Sequence, residues 1–98
     1  ELDGFRFDFE RMAFWKNGEP IELSKTEQKL LRLLVENRGQ TVSRGVLADR
    51  IWTDGADFVD ENALSVTVKR LRGKLEDDPS SPQYLKTVYG LGYTWAVK

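Results

Sequence analysis

Apolar residues occupy alternate positions near the start of the chain, which predicts strands. Phe5, Phe7 and Phe9 are separated by polar residues, a period of two that is typical of a half-buried strand. Further along, the pair Asn17-Gly18 separates two more apolar runs, and this pair strongly favours a tight turn between strands. We therefore expect an antiparallel sheet over residues 1–23.

The spacing of apolar residues then changes to that of helices. Ser24 and Glu27 match a capping box, which predicts that a first helix starts at this point. Ser43 is the candidate N-cap of a second, short helix that runs through Trp52. The residues expected to face the core are Leu30, Leu31, Leu34 and Val35 in the first helix and Val46, Leu47 and Ile51 in the second.

A third predicted helix, N-capped by Asp60, has an apolar seam and a basic face. Its apolar residues fall within roughly 60° of one another around the helix axis, and they are Leu64, Val68, Leu71 and Leu75. The opposite face presents Asn62, Val66, Lys69, Arg70 and Gly73, with Thr67 and Lys74 on one flank and Arg72 on the other. Residues 65–75 contain four basic side chains and no acid. Such a helix packs on the core along its apolar edge and presents its basic face to a polyanion such as a nucleic acid.

A β-hairpin is expected after this helix, which Pro79 and Pro82 end. Residues 84–88 and 93–97 are β-prone and are joined by a glycine-containing turn. The chain is thus predicted to be one domain, residues 1–98, of the α+β class. Its architecture would be a winged helix-turn-helix with an N-terminal antiparallel sheet (1–23), a three-helix core (24–78) and a C-terminal hairpin wing (84–97).

Composition narrows the possible functions. The 98 residues are 40% hydrophobic, which suits one compact core. The absence of Cys and His excludes disulfides, Cys/His zinc sites and catalysis by imidazole or thiolate. We expect no enzyme activity, no cofactor and no metal. With no apolar run long enough to cross a bilayer and no signal-peptide pattern, we expect a cytoplasmic protein that does not engage membranes.

The net charge of −1 conceals a local asymmetry. Residues 53–61 contain four acidic residues and no basic residue. The helix that follows is basic, and three acidic residues come after it at positions 76–78. Binding depends on the field at one face, within a Debye length of about 10 Å, rather than on the total. The net charge is therefore weak evidence against a nucleic-acid partner.

The basic side chains of the third helix are the principal candidates for DNA contact. Lys69 and Arg70 lie nearest the centre of the outward face and are the best candidates for base edges, Arg70 because its guanidinium matches guanine O6 and N7. Arg72 and Lys74 lie toward the flanks, where phosphate contacts are more natural. The alternatives are a solvated helix face and, for Arg72, a pairing with an acid inside the domain.

Other candidate contacts leave two interpretations open. Val66 would touch a thymine methyl or would be an incidental surface residue, and Gly73 would permit close approach to DNA or would be a tolerated surface glycine. Asn62 and Lys86 are candidates for phosphate, Asn62 also for a base. Tyr89 would contact sugar or phosphate, or would shield the hairpin. The three tryptophans, Trp15, Trp52 and Trp95, are expected to pack in the core or at a hinge rather than to stack on bases.

Several separated motifs, in this order, resemble the effector domain of OmpR/PhoB-type response regulators. They are residues 23–27 (LSKTE), 39–44 (GQTVSR), 51–52 (IW), 68–75 (VKRLRGKL) and 84–93 (YLKTVYGLGY). The resemblance implies a four-stranded N-terminal sheet, a three-helix core and a wing. It also implies a receiver domain upstream, absent from this chain and phosphorylated through a sensor kinase, and binding as homodimers to direct-repeat double-stranded DNA to regulate transcription.

The same resemblance implies roles for single residues. Thr87 matches a phosphate-contacting Thr of the wing, and the loop of residues 53–60, with Asp54, Asp57 and Asp60, matches a loop that touches RNA polymerase. Taken alone, the acids of this loop are more often solvated than metal ligands.

The chain departs from the family pattern at four positions. At the positions of Tyr89 and Thr94 the family often has a basic residue. The family frequently has His at the position of Thr67 and Asp at the position of Ser65. These differences bear on the target sequence rather than on DNA binding itself.

A protein-interaction module is the competing hypothesis, because winged helices also dock on protein partners. The outward row of Lys and Arg argues against it, since Lys is depleted in the cores of protein interfaces. An enzyme is the third and weakest hypothesis, because the carboxylates are scattered and form no nucleophile–base pair.

Overall fold

The computed structural model describes residues 4–52 and 61–96. Three helices and six strands follow one another in this part of the chain. In order they are β1 (Phe5–Asp8), β2 (Ala13–Lys16), β3 (Glu19–Ile21), α1 (Lys25–Glu36), β4 (Thr41–Ser43), α2 (Arg44–Ile51), α3 (Glu61–Leu75), β5 (Leu85–Val88) and β6 (Gly92–Trp95). Among these helices, none is both long and apolar enough to span a membrane.

The N-terminal strands form an antiparallel sheet in the order β1-β2-β3. Asn17 and Gly18 join β2 to β3 with φ angles of 51° and 82°, the left-handed conformation that a two-residue hairpin turn requires. The hairpin predicted from this pair is confirmed. Phe9 lies just after the end of β1, where its ring packs against Phe14 at a centroid distance of 5.5 Å.

The first two helices start where the caps predict. Glu27 N–H donates to Ser24 Oγ at 3.2 Å and Ser24 N–H donates to a Glu27 carboxylate oxygen at 3.0 Å, so the capping box is complete. Ser43 Oγ caps α2 by accepting from the N–H of Val46 at 3.2 Å. Val46 itself was expected to face inward, and that prediction is wrong: it is 47% exposed, because Leu47 and Ile51 occupy the buried face of this two-turn helix.

The third and fourth strands of the chain belong to different sheets. β4, a three-residue strand between α1 and α2, pairs with β6, and the second sheet has the order β4-β6-β5. The four-stranded N-terminal sheet that the resemblance implies is therefore not what the described residues form, since they give two sheets of three strands. Gly92 permits this pairing, because an added Cβ would lie 2.1 Å from the carbonyl oxygen of Val42.

One core holds the two sheets and the helices together. Leu30, Leu31 and Leu34 of α1 are 0% exposed and pack against α2 and α3. An aromatic cluster joins the sheets, with Phe5 lying 4.8 Å from Tyr84 and 6.0 Å from Trp95 between ring centroids. Of the three tryptophans, Trp95 is fully buried as expected, while Trp52 is half-buried and packed on the core. Trp15 is half-buried beneath the guanidinium of Arg6.

Candidate nucleic-acid interface

Helix α3 is held by one face and exposes another. Its seam is buried as the sequence predicts, with Leu64, Val68, Leu71 and Leu75 between 0% and 3% exposed. The exposed residues recur at intervals of three and four, and they are Asn62, Ser65, Val66, Lys69, Arg70, Gly73 and Lys74. Arg70 and Lys69 lie on this stripe as expected, and Val66 adds a 41%-exposed apolar side chain.

The expectation that Thr67 lies on the exposed flank is wrong. Thr67 is 6% exposed, and its hydroxyl donates to the carbonyl of Ala63 at 2.8 Å. This bond to the preceding helical turn satisfies the hydroxyl inside the domain. The buried face of α3 is thus wider than the apolar seam, because it also includes Thr67, which lies beside Leu71 in the helical projection.

Arg72 does not extend freely from the flank of α3 as a phosphate-contacting arm. Its Nε donates to the Leu85 carbonyl at 2.9 Å and its Nη2 donates to the Thr87 hydroxyl at 2.7 Å, so the side chain binds β5. The guanidinium also lies over the Tyr93 ring, 5.8 Å from its centroid. The internal pairing with an acid that was considered for Arg72 is replaced by pairing with backbone and hydroxyl oxygens of the hairpin.

Lys74 is likewise directed into the domain rather than toward a free phosphate-binding face. Its ammonium donates to a carboxylate oxygen of Glu27 at 2.5 Å, and the Glu27 side chain is 4% exposed. Burial raises the pKa of Glu27, but hydrogen bonds from Lys74 and Ser24, with the Lys74 charge, outweigh it and hold that pKa below its ordinary value of 4.5. The lysine thereby ties α3 to the first turn of α1.

The start of α2 supplies a cation that the sequence analysis missed. Arg44 donates from Nη1 to the hydroxyl of Tyr93 at 2.8 Å and from Nη2 to the hydroxyl of Ser65 at 3.1 Å. Arg44 is exposed, and it follows Ser43 directly at the N-cap. The sequence signal that could have identified Arg44 is its position directly after the predicted N-cap. The first residue of the helix that precedes α3 lies beside both α3 and the hairpin.

The wing, which is the hairpin of β5 and β6, projects an uncharged tip. Tyr89 is 91% exposed and Leu91 is 63% exposed on either side of Gly90, whose φ is 78°. Lys86 is exposed on β5, and Thr87 is half-buried with its hydroxyl accepting from Arg72. Thr94 donates to the carbonyl of Gln40 at 2.9 Å.

Two predictions fall on residues outside those described. Asp54, Asp57 and Asp60, expected in a polymerase-contacting loop, lie outside residues 4–52 and 61–96, as does the predicted N-cap role of Asp60. Within the described ranges, no group of three or more acidic side chains is placed to hold a metal ion.

Comparison with known proteins gives a consistent result. Residues 18–95 match the family described as "Transcriptional regulatory protein, C terminal". The chain is 52% identical over 94 residues to the sensory transduction protein RegX3 of Mycolicibacterium smegmatis, covering 95% of this chain and 40% of that protein. The chain thus spans about two-fifths of the length of this curated relative.

Solved structures agree with the architecture. The response regulator DrrB of Thermotoga maritima, an OmpR/PhoB homologue, superposes with a TM-score of 0.90 at 32% identity, over 98% of this chain and 43% of that one. The DNA-binding domain of RstA from Klebsiella pneumoniae, solved in complex with the RstA box, superposes with a TM-score of 0.85 at 28% identity, over 98% and 94% of the two chains.

Proposed function

We propose that this chain binds a specific duplex DNA through α3 and the wing. The chain belongs to the family of C-terminal domains of transcriptional regulatory proteins of the OmpR/PhoB response-regulator type, and this membership is the basis of the proposal. DNA binding and transcription regulation are the function of such output domains. The proposal concerns the surface that performs this binding: α3 enters the major groove, and the wing lies at the adjacent backbone or minor groove.

The observation that carries the proposal is the exposed stripe of α3. Lys69 and Arg70 are exposed at its centre, while four buried apolar residues fix the opposite edge of the helix in the core. A helix held this way keeps the backbone positions of Lys69 and Arg70 fixed, and the core packing therefore directs their donors to one side of the domain. A fixed helix can place such donors at the same base edges in every complex.

The stripe, the start of α2 and the wing lie on the same side of the domain. Arg44 connects the three elements, because its guanidinium contacts Ser65 on α3 and Tyr93 on β6. We therefore assign base contacts to Asn62, Val66, Lys69 and Arg70, and backbone contacts to Arg44, Lys86, Thr87 and Tyr89. Thr67 is left out of the contact set because it is buried, Arg72 because it is half-buried against β5, and Lys74 because its ammonium is paired with the buried Glu27. Arg44 stays in the set because it is exposed, and Thr87 because its hydroxyl accepts from Arg72 and keeps its own hydrogen to donate.

The proposal is tested by measuring affinity for a selected site and for random duplex DNA over a range of salt concentrations. Neutralising several phosphates should give a log–log slope near −0.9 per contact. Arg70→Ala should weaken binding to the selected site by about 1–3 kcal/mol and relax preference at one base pair. Arg32→Ala, which removes an exposed arginine from α1, is the matched control and should leave both unchanged.

Binding without salt dependence, or equal losses for Arg70→Ala and Arg32→Ala, would reject the proposed surface and favour a protein-interaction module. Selecting bound sites from a random duplex pool supplies the target for the assay.

The longer protein adds further proposals. A receiver domain, phosphorylated through a sensor kinase, would control pairing of two copies on direct repeats, and Asp54, Asp57 and Asp60 would contact RNA polymerase. We further propose a cytoplasmic location and a role in binding rather than catalysis, with no cofactor. Titrating DNA with one half-site against DNA with two tests the pairing, since only the tandem site should show cooperative binding by the phosphorylated full-length protein.

A further inference from the structure

Strand β5 is an edge strand of its sheet, yet two side chains bind its outer backbone, one from the last turns of α3 and one from the residue that follows α3. In the sheet order β4-β6-β5, no strand formed by the described residues lies on the outer side of β5. The N–H of Leu85 donates to a carboxylate oxygen of Glu76 at 2.8 Å, and the carbonyl of Leu85 accepts from Arg72 Nε at 2.9 Å. Two side chains one helical turn apart thus take the place of a further strand.

Glu76 binds more than Leu85. Its carboxylate also accepts from the N–H of Gln83 at 2.7 Å and from the N–H of Tyr84 at 3.0 Å, and the residue is 5% exposed. Three consecutive backbone amides are therefore directed at one buried anion. Charged acceptors form stronger hydrogen bonds than neutral ones, so this contact fixes the entry of β5 into the wing.

Arg72 fixes the next part of the same strand. Its Nη2 donates to the Thr87 hydroxyl at 2.7 Å, and its guanidinium covers the Tyr93 ring of β6. Arg72 and Glu76 together hold residues 83–87 against the C-terminal half of α3.

We infer that Arg72 and Glu76 are positioning residues that set the orientation of the wing relative to α3, and thereby determine whether the wing contacts the same DNA that α3 reads. The inference rests on the proposed function. A wing contact adds to the affinity of α3 only when both surfaces are held in one geometry, because freedom between them is lost on binding. Neither residue needs to touch DNA for this role.

Glu76→Gln separates this role from simple electrostatics. Removing an acid from a DNA-binding domain should strengthen binding by charge alone. Gln keeps only one acceptor oxygen, and its amide NH2 would face at least one backbone N–H donor, so the contact with β5 would weaken and the inference predicts weaker binding. The opposite sign of the two expectations makes the outcome decisive. Glu22→Gln, an exposed acid beyond β3, controls for loss of one negative charge.

A double-mutant cycle tests the coupling directly. The combined wing variant Lys86→Ala/Tyr89→Ala should weaken binding by about tenfold in the natural protein, but by about threefold or less when Glu76→Gln or Arg72→Gln is already present. With Arg32→Gln, which also removes a helical arginine that stacks on an aromatic ring, the wing variant should keep its full effect.

The cycle also separates positioning by Arg72 from a phosphate contact. In the wing-truncated background, Arg72→Gln should leave the salt slope unchanged, whereas loss of a phosphate contact would reduce its magnitude by about 0.9. Arg72→Lys should restore little of the coupling, because one ammonium does not match the two oxygens that the guanidinium binds.

Additive losses in every background, or tighter binding by Glu76→Gln, overturn the inference. Circular dichroism at the assay temperature verifies that each variant is folded. If Glu76→Gln does not fold, the Arg72→Gln cycle decides. Failure of the proposed function is recognised separately, because Arg70→Ala would then leave affinity unchanged in the natural background.

Discussion

Arg44 donates a hydrogen bond to the hydroxyl of Tyr93, with Nη1 and Oη 2.8 Å apart. Tyr93 is 5% exposed, and two guanidinium groups lie near its ring, with that of Arg44 5.7 Å and that of Arg72 5.8 Å from the ring centroid. One wing residue therefore contacts side chains from both α2 and α3. Its ring also helps to hold the two cations close together despite their mutual repulsion.

Tyr93→Phe should test the hydrogen bond in this arrangement. The substitution keeps the ring contacts with both arginines and removes the hydroxyl that Arg44 binds. We expect the free energy of unfolding to fall by about 1 kcal/mol, measured by urea denaturation. Affinity for DNA should fall as well, because Arg44 loses one of its two anchors.

Tyr89→Phe is the matched control, since it removes a hydroxyl from a side chain that is 91% exposed. Its free energy of unfolding should be unchanged. If Tyr93→Phe and Tyr89→Phe lower the free energy of unfolding equally, the Arg44–Tyr93 hydrogen bond has no structural role.

The ion pair of Glu27 and Lys74 should make stability depend on pH in the acid range. Because the pKa of Glu27 is lowered in the folded state, its contribution to stability is complete above the ordinary value of 4.5 and is lost as the pH falls through the folded value. Between about pH 6 and pH 3, the natural protein should therefore lose more stability than Glu27→Gln does.

Urea denaturation at several pH values gives the measurement. Glu22→Gln removes an exposed carboxylate just before α1 and should leave the pH dependence almost as in the natural protein. If Glu27→Gln and the natural protein lose stability in parallel, the ion pair contributes nothing to the dependence. Lys74→Met should also reduce the dependence, because the lysine supplies both a hydrogen bond and a charge to Glu27.

Features that depend on neighbours in sequence could be predicted from the sequence. The capping box of Ser24 and Glu27 spans four residues, and the turn at Asn17-Gly18 spans two, so the local sequence determines both. The seam of α3 follows from helical spacing. Spacing, caps and turn signals also predicted the order of the elements, and family resemblance added expected roles for single residues such as Thr87.

Features that depend on distant partners could not be predicted. Arg72 binds residues 13 and 15 positions away, and Lys74 binds Glu27, 47 positions away. The helical projection places both side chains on the flanks of α3 but gives no information about what packs there. Strand β4 was missed for a similar reason, since three residues carry too little pattern and are held by β6. Thr67 was misplaced because the width of a buried arc depends on the packed neighbours.

Gly73 should be replaceable by alanine with a gain in stability. It lies in the last turns of α3, and an added Cβ would meet nothing within 4 Å. Alanine in a helix is favoured over glycine by about 0.5–1 kcal/mol, so Gly73→Ala should raise the free energy of unfolding by that amount. We expect affinity for DNA to be unchanged, as for a tolerated surface glycine. A more stable variant that binds more weakly would instead show that DNA approaches the helix backbone at this point.

Val66 should contact a thymine methyl group. It is 41% exposed on the stripe that also carries Arg70, where burial in the core does not account for an apolar side chain. Replacing thymine by uracil removes only the methyl group, so one such position in the selected site should weaken binding about fourfold, the equivalent of one buried methyl group. Val66→Ala should bind the thymine and uracil sites with nearly equal affinity, because the side chain that touches the methyl is truncated. If every uracil substitution is neutral for the natural protein, Val66 is an incidental surface residue and takes no part in base recognition.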